Sequence, residues 1–203
     1  MIWKSFRLVP ILLTVAACAG GAGEVPRDRY FRLDIAAPAA ERAAPLAGAL
    51  LVTRLDAEGL MRERPLVYSA DASALAVEQD DYHFWIEPPT RLLQAELVDY
   101  LRAAGIAETV VTPELRIRSN YEIVGTIRRF ERVLGEGRPK VAVELELALI
   151  DLAGDRLRAV DTYAVVIDCP DRRIETSVVA FNRAVAEIFD AFVADISAGM
   201  PAA

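Results

Sequence analysis

The side chains in this sequence with chemical potential fall in three places: Cys18, Cys169 and the segment Asp80-Asp81-Tyr82-His83-Phe84-Trp85. A thiolate can act as nucleophile, acyl acceptor or metal ligand. His83 is the single histidine, so acid–base work or metal binding by histidine would have to converge on one imidazole. No Gly-x-Ser-x-Gly elbow is present to expose a nucleophilic serine, and no Gly-x4-Gly-Lys-Ser/Thr loop to cradle phosphates. Any ATP chemistry therefore belongs to a partner. Asp80 and Asp81 read as a solvated acidic turn. The expectation is a protein that is not an enzyme, with no catalytic, metal-binding or cofactor-binding residue. The aromatics Tyr82, Phe84 and Trp85 have two readings: Trp85 as a lid on the core, stapled to Leu92 or Leu93 at a helix entry, or the group as an anchor for a partner protein.

Cys18 stands at the end of a recognisable signal. Lys4 and Arg7 give a positive start, Leu8 to Ala17 carry no charge, and Val15-Ala16-Ala17-Cys18 closes the run with small residues. The apolar run is about half the ~20 residues needed to span a bilayer, and Pro10 interrupts it. An aliphatic residue, two small ones and a cysteine resemble the lipobox of bacterial lipoproteins. That resemblance implies diacylglycerol on the Cys18 thiol, removal of residues 1–17 and an acyl chain on the freed amine. Ala17-Cys18-Ala19 also fits ordinary signal cleavage, which would release a soluble periplasmic protein. A cysteine at this point is better explained by lipidation.

Losing Lys4 and Arg7 takes the formal charge from −7 to −9. A mature chain this acidic excludes nucleic acid as a partner, because phosphate backbones select clustered Lys and Arg. It also has no net attraction to anionic lipid, so acyl chains must hold it on a membrane, each buried methylene contributing ~0.8 kcal/mol. The remaining 186 residues (203 less 17) suit one domain, residues 29–199, with a tail at 200–203. After processing at Cys18, Cys169 is the one free thiol, read as a small buried hydrophobe. Ala19 to Asp28, with three glycines and a proline, read as a tether. Ten such residues reach ~35 Å extended and ~17 Å as a coil, so the domain stays close to its membrane.

Behind the tether, Tyr30 to Ile35 read as a first strand, followed by an Ala/Pro-rich loop and a second strand at Leu50-Leu51-Val52. Shorter extended pieces fall at Pro65 to Ser69 and Leu75 to Glu78, with a helical turn within Glu58 to Arg64. Pro88-Pro89 then open a helix whose Leu93, Leu97, Tyr100, Leu101 and Ala104 share one face, with Arg91, Gln94, Asp99 and Arg102 on the other and Gly105 as its stop. Val141, Val143, Leu145, Leu147 and Leu149 alternate with Ala142, Glu144, Glu146 and Ala148, the period of a half-buried strand. With Tyr121 to Val133 and Leu157 to Ile167 it forms three antiparallel strands in a meander. A last helix from about Glu175 to Ser197 carries a broad apolar stripe, widened by Val179 and Val193 and ended by Gly199. The architecture expected is α+β: an antiparallel sheet with two main helices packed on one face.

Tyr30-Phe31-Arg32-Leu33 soon after the lipobox, Phe84-Trp85-Ile86-Glu87-Pro88-Pro89 opening the first helix, and Ile127-Arg128-Arg129-Phe130-Glu131 in the meander come in an order that resembles the ABC-type transport auxiliary lipoproteins, the PqiC-like group. The resemblance implies a two-layer domain similar to the TolB amino-terminal fold, held on the periplasmic face of the outer membrane. It further implies non-catalytic service beside MCE-domain proteins and an ABC transporter that move phospholipids or other apolar solutes. Homo-oligomerisation stays open. The alternative is an assembly or pilot lipoprotein for another outer-membrane complex.

Overall fold

The computed structural model describes residues 26–38, 46–70 and 75–198. Cys18, the signal, most of the tether, the Ala-rich loop, Gly199 and the tail lie outside the described residues. In chain order the elements are β1 (Arg29–Phe31), β2 (Leu46–Val52), β3 (Asp56–Ala57), β4 (Pro65–Ser69), β5 (Glu78–Trp85), α1 (Pro89–Ala103), β6 (Ala107–Val111), β7 (Tyr121–Val133), β8 (Lys140–Asp151), β9 (Arg156–Asp168) and α2 (Ile174–Ala198). Short 3-10 turns lie at Gly59–Arg62 and Pro113–Leu115.

β7 is the spine of a nine-stranded sheet. One edge pairs antiparallel with β8 along almost its whole length, and β9 pairs antiparallel with β8 beyond it. This is the meander expected from the alternation. The other edge carries three short strands in succession, all parallel to β7: β2 at Tyr121 to Ile123, β3 at Thr126 and Ile127, and β4 at Glu131 to Val133. β6 then joins β2 in parallel, while β4 holds β5 antiparallel and β5 holds β1 in parallel. The sheet is therefore mixed rather than antiparallel throughout. Parallel neighbours need crossover connections instead of tight turns, and the long segments between β2 and β7 provide them.

Register against β8 shifts between Ile127 and Arg129, leaving Arg128 as an extra residue on β7. A bulge of this kind bends the strand and moves later side chains to the opposite parity. Before it, Ile123 and Ile127 point into the core; after it, Phe130 and Arg132 do. The bulge thus places a guanidinium on the buried side.

Both helices pack on the same side of the sheet and share one core. Pro89 occupies the first turn of α1, where its missing N–H costs nothing. At the other end Ile106 N–H donates to Leu101 O (3.4 Å) and Gly105 N–H to Arg102 O (3.1 Å), a Schellman closure that needs the positive φ of Gly105 (62°). Gln94, placed on the solvent side by its spacing, is buried instead and donates to the Val52 carbonyl (2.9 Å). It gives a buried strand oxygen a side-chain partner. On α2, Val193 is buried as its stripe predicts, whereas Val179 is 60% exposed. β1 and the segment after it are stitched to both helices: Arg29 pairs with Glu175 (2.6 Å), Asp34 N–H donates to Asn182 Oδ1 (3.2 Å), and Ile35 N–H donates to Glu96 Oε2 (3.1 Å). Between them Leu33 is buried.

Gly48 sits at an irregularity of β2 with φ at +91°, and a Cβ there would fall 2.2 Å from Asn120 Oδ1. That oxygen accepts from Ala49 N–H (3.1 Å), while Asn120 N–H donates to Ala49 O (2.8 Å). Gly48→Ala would strain the backbone and displace Asn120 together. We expect a loss of roughly 1–3 kcal/mol, read as a lower urea midpoint with unchanged slope; an unshifted midpoint would show that neither constraint matters.

Candidate functional site

The aromatic segment singled out in the sequence is strand β5, and its alternation divides it into two jobs. Trp85 points inward and is 1% exposed, packed against Phe130 (ring centroids 5.3 Å) and edge-on to Phe181 (5.2 Å). It is a core side chain, its ring set against those of a β7 and an α2 phenylalanine. Tyr82 and Phe84 point the other way. Tyr82 is exposed, and half-buried Phe84 stacks at 5.5 Å on Tyr30, its register neighbour across the β1–β5 pairing. The Arg64 guanidinium lies 5.0 Å over the Tyr30 ring. An exposed cation–π pair of this kind contributes about 0.5–1 kcal/mol.

His83 shares the inward face near Phe31 (6.0 Å). Its Nδ1 lies 2.7 Å from Asp80 Oδ1, and the same oxygen accepts from the backbone N–H groups of Tyr82 and His83, each at 3.0 Å. Asp80 thereby fixes the path of β5. A histidine oriented by a carboxylate supplies two parts of a nucleophilic triad; among the described residues no hydroxyl or thiol bonds to His83. Nor, among them, do three or more His, Cys, Asp or Glu side chains gather in a way that could hold a metal ion. We expect His83→Ala to keep near-normal function in cells, with a stability loss of about 1 kcal/mol from the missing Asp80 bond. Complete loss of function in a well-folded variant would return an active role to this imidazole.

Cys169 belongs to a buried polar cluster that the sequence did not announce. Its Sγ lies 3.9 Å from Ser177 Oγ, which accepts from Arg132 Nε (3.0 Å), while Arg132 Nη2 donates to the Arg172 carbonyl (2.7 Å). Burial pushes the Cys169 thiol up and the Arg132 guanidinium down from their ordinary ranges. A thiol held protonated is a poor nucleophile, so the cluster ties β7 to the start of α2. Asp151 does comparable work at the β8–β9 turn: it accepts from Gly154 N–H (3.0 Å) and Arg158 (2.8 Å), contacts that hold its carboxyl below the usual range.

An open cleft of about 550 Å³ lies beside the β7–β8 turn, lined in part by Arg129, Arg138, Lys140, Val166 and Asp168. Its charges are mixed, and Lys140 already faces Asp168 at 3.4 Å. Among the described residues no helix is long and apolar enough to cross a membrane. Cys18 lies outside the described residues, so its chemistry rests on the sequence.

In crystal structures the same fold recurs. Protein XCC0632 from Xanthomonas campestris, assigned to DUF330, superposes with a TM-score of 0.72 at 19% identity, over 81% of this chain and 92% of that one. A second crystal structure, of an uncharacterised protein, gives 0.66 at 14% identity, over 84% and 99% of the two chains. Such identities speak for the fold alone. No curated protein matches the sequence. Residues 31–193, from the end of β1 into the last turns of α2, match the family model for the ABC-type transport auxiliary lipoprotein component. With the α+β architecture and that match covering most of its length, the chain belongs to the family of ABC-type transport auxiliary lipoprotein components.

Proposed function

We propose that this protein is acylated on Cys18, held on the periplasmic face of the outer membrane, and acts there as a non-catalytic accessory of an ABC transporter that works with an MCE-domain protein on phospholipids or another apolar cargo. The observation that carries the reading is the family match over residues 31–193 following a lipobox-like Val15-Ala16-Ala17-Cys18. Ala19 after the cysteine supports the outer membrane, since Asp at that position is what favours retention at the inner one in enteric bacteria. In-cell cross-linking followed by identification of the attached protein tests the assignment. An MCE-domain or transporter component is the expected product; a secretin or pilus subunit would replace this reading with that of a pilot lipoprotein.

If proximity to the membrane is what the anchor supplies, tether length matters more than tether sequence. Adding about thirty Gly/Ser residues makes the tether roughly fourfold longer and lowers effective concentration at a membrane-proximal partner about eightfold, or ~1.2 kcal/mol. We expect partial detergent sensitivity at low expression, rescued at high expression. An equal-length flexible replacement of Gly20 to Pro26 is expected to be silent. Wild-type behaviour of the long tether at low expression would remove proximity from the mechanism.

A further inference from the structure

The face of β5 turned away from the core carries a continuous apolar stripe at the root of the tether. Tyr82 and Phe84 alternate on it, Ile86 continues it past the strand end, and Tyr30 of β1 stacks on Phe84 at 5.5 Å. Tyr30, Tyr82 and Ile86 are 53%, 39% and 44% exposed. Exposed apolar residues scattered singly need no explanation, but here Tyr30 and Phe84 are register neighbours across two paired strands, with Tyr82 two residues before Phe84 and Ile86 two after it. Position says what they face. β1 is the first strand after the tether, so the stripe starts about ten residues from Cys18, a coil distance of ~17 Å. A chain anchored at Cys18 holds Tyr30 within reach of the bilayer surface at all times.

We propose that this stripe rests on the phospholipid headgroup layer of the membrane that anchors the protein, an inference that builds on acylation of Cys18. Tyrosine suits that layer because its ring is apolar and its hydroxyl is wet. Arg64, held 5.0 Å over Tyr30, places a guanidinium where lipid phosphates lie. The charge around the stripe is mixed, with no positive excess: Tyr30 OH donates to Asp28 Oδ2 (3.2 Å), Arg29 is paired with Glu175, and Asp81 adjoins Tyr82. Aromatic partition rather than net charge therefore drives the contact, and a zwitterionic surface serves as well as an anionic one. The domain is docked with its β1–β5 corner down, leaving the far end of the meander facing the periplasm.

Photo-cross-linking reads this orientation directly. The acylated protein, with p-benzoylphenylalanine replacing Tyr82 or, as the distant control, exposed Leu157 beside the β8–β9 turn, is placed in vesicles of radiolabelled phosphatidylcholine, with or without phosphatidylglycerol. We expect roughly tenfold more lipid adduct from position 82 than from 157, given how steeply effective concentration falls with distance, and no dependence on the anionic lipid. Equal adducts, none at either position, adducts that need phosphatidylglycerol, or capture of a second copy at position 82 would each overturn the proposal. A parallel arm couples Cys18 to a maleimide lipid, so contact is measured whether or not cells acylate it. Position-82 selectivity there, with no flotation of the cell-made protein, would sink the anchoring reading alone; flotation with equal adducts would sink this inference alone.

Discussion

Cells that make Cys18→Ser are expected to lose essentially all membrane-held protein, which then stays unprocessed or is mislocalised. The thioether needs sulfur, and serine offers a hydroxyl of far lower nucleophilicity at the same point. The consequence is large because anchoring by acyl chains is steep: each methylene withdrawn from the bilayer gives up ~0.8 kcal/mol, so removing two or more chains shifts partition by many powers of ten. Net charge supplies no compensating attraction, since the chain is acidic, and among the described residues no helix is long and apolar enough to cross a bilayer. Labelled palmitate with membrane fractionation reads both parts. Equal label in wild type and Cys18→Ser would refute the acylation site.

Trp85→Ala carries the largest expected stability effect within the fold. Phe130 and Phe181 lie 4.5 Å apart at their centroids, and Trp85 lies within 5.3 Å of each, so one substitution opens a void against both helical and sheet layers. Large-to-small changes of this kind cost about 3–5 kcal/mol, a fifth or more of a typical domain's total of 5–15 kcal/mol. Trp85→Phe keeps most of the volume and is expected to recover the greater part. Equilibrium urea denaturation measures the difference; a loss under about 1 kcal/mol would mean that the site collapses around the missing ring and that the trio does not organise the core.

What the sequence could say follows from the range over which a pattern is written. The β8 alternation of Val141, Val143, Leu145, Leu147 and Leu149 is local, and all five side chains are buried as their period requires. Both helices were legible for the same reason, from Pro89 to the Gly105 stop and along the stripe of α2. β5 was legible only in part: its acidic first half, Glu78-Gln79-Asp80-Asp81, has no apolar alternation, and its aromatics read equally well as a helix entry. β6 and the parallel pairings along β7 were not legible. Register between segments seventy residues apart, such as Leu50 with Tyr121, leaves no trace in either segment alone. The bulge at Arg128 hid a further feature, because a one-residue change of parity turns Arg132 from an exposed strand cation into a buried one. For the candidate site, Tyr82 and Phe84 were nameable from type and position, but their partner Tyr30 required the β1–β5 pairing.

The stitching of β1 and the residues after it has a mechanical consequence. For a chain held at Cys18, any pull between the membrane and the domain enters at Arg29, and the attachment there does not depend on a three-residue strand alone. Load passes from the Arg29–Glu175 pair into the start of α2, from Asp34 through Asn182 about two turns further along, and from Ile35 through Glu96 into α1. Phe31 O, bonded to Ile86 N–H at 2.7 Å, carries the remainder into β5. Four fasteners sharing a tensile load across both layers make the domain move as one body instead of peeling from its edge. Ten residues separate Cys18 from Arg29, a contour of at most ~35 Å. With the anchoring proposed above, a pull beyond that reach would be delivered to the whole fold at once.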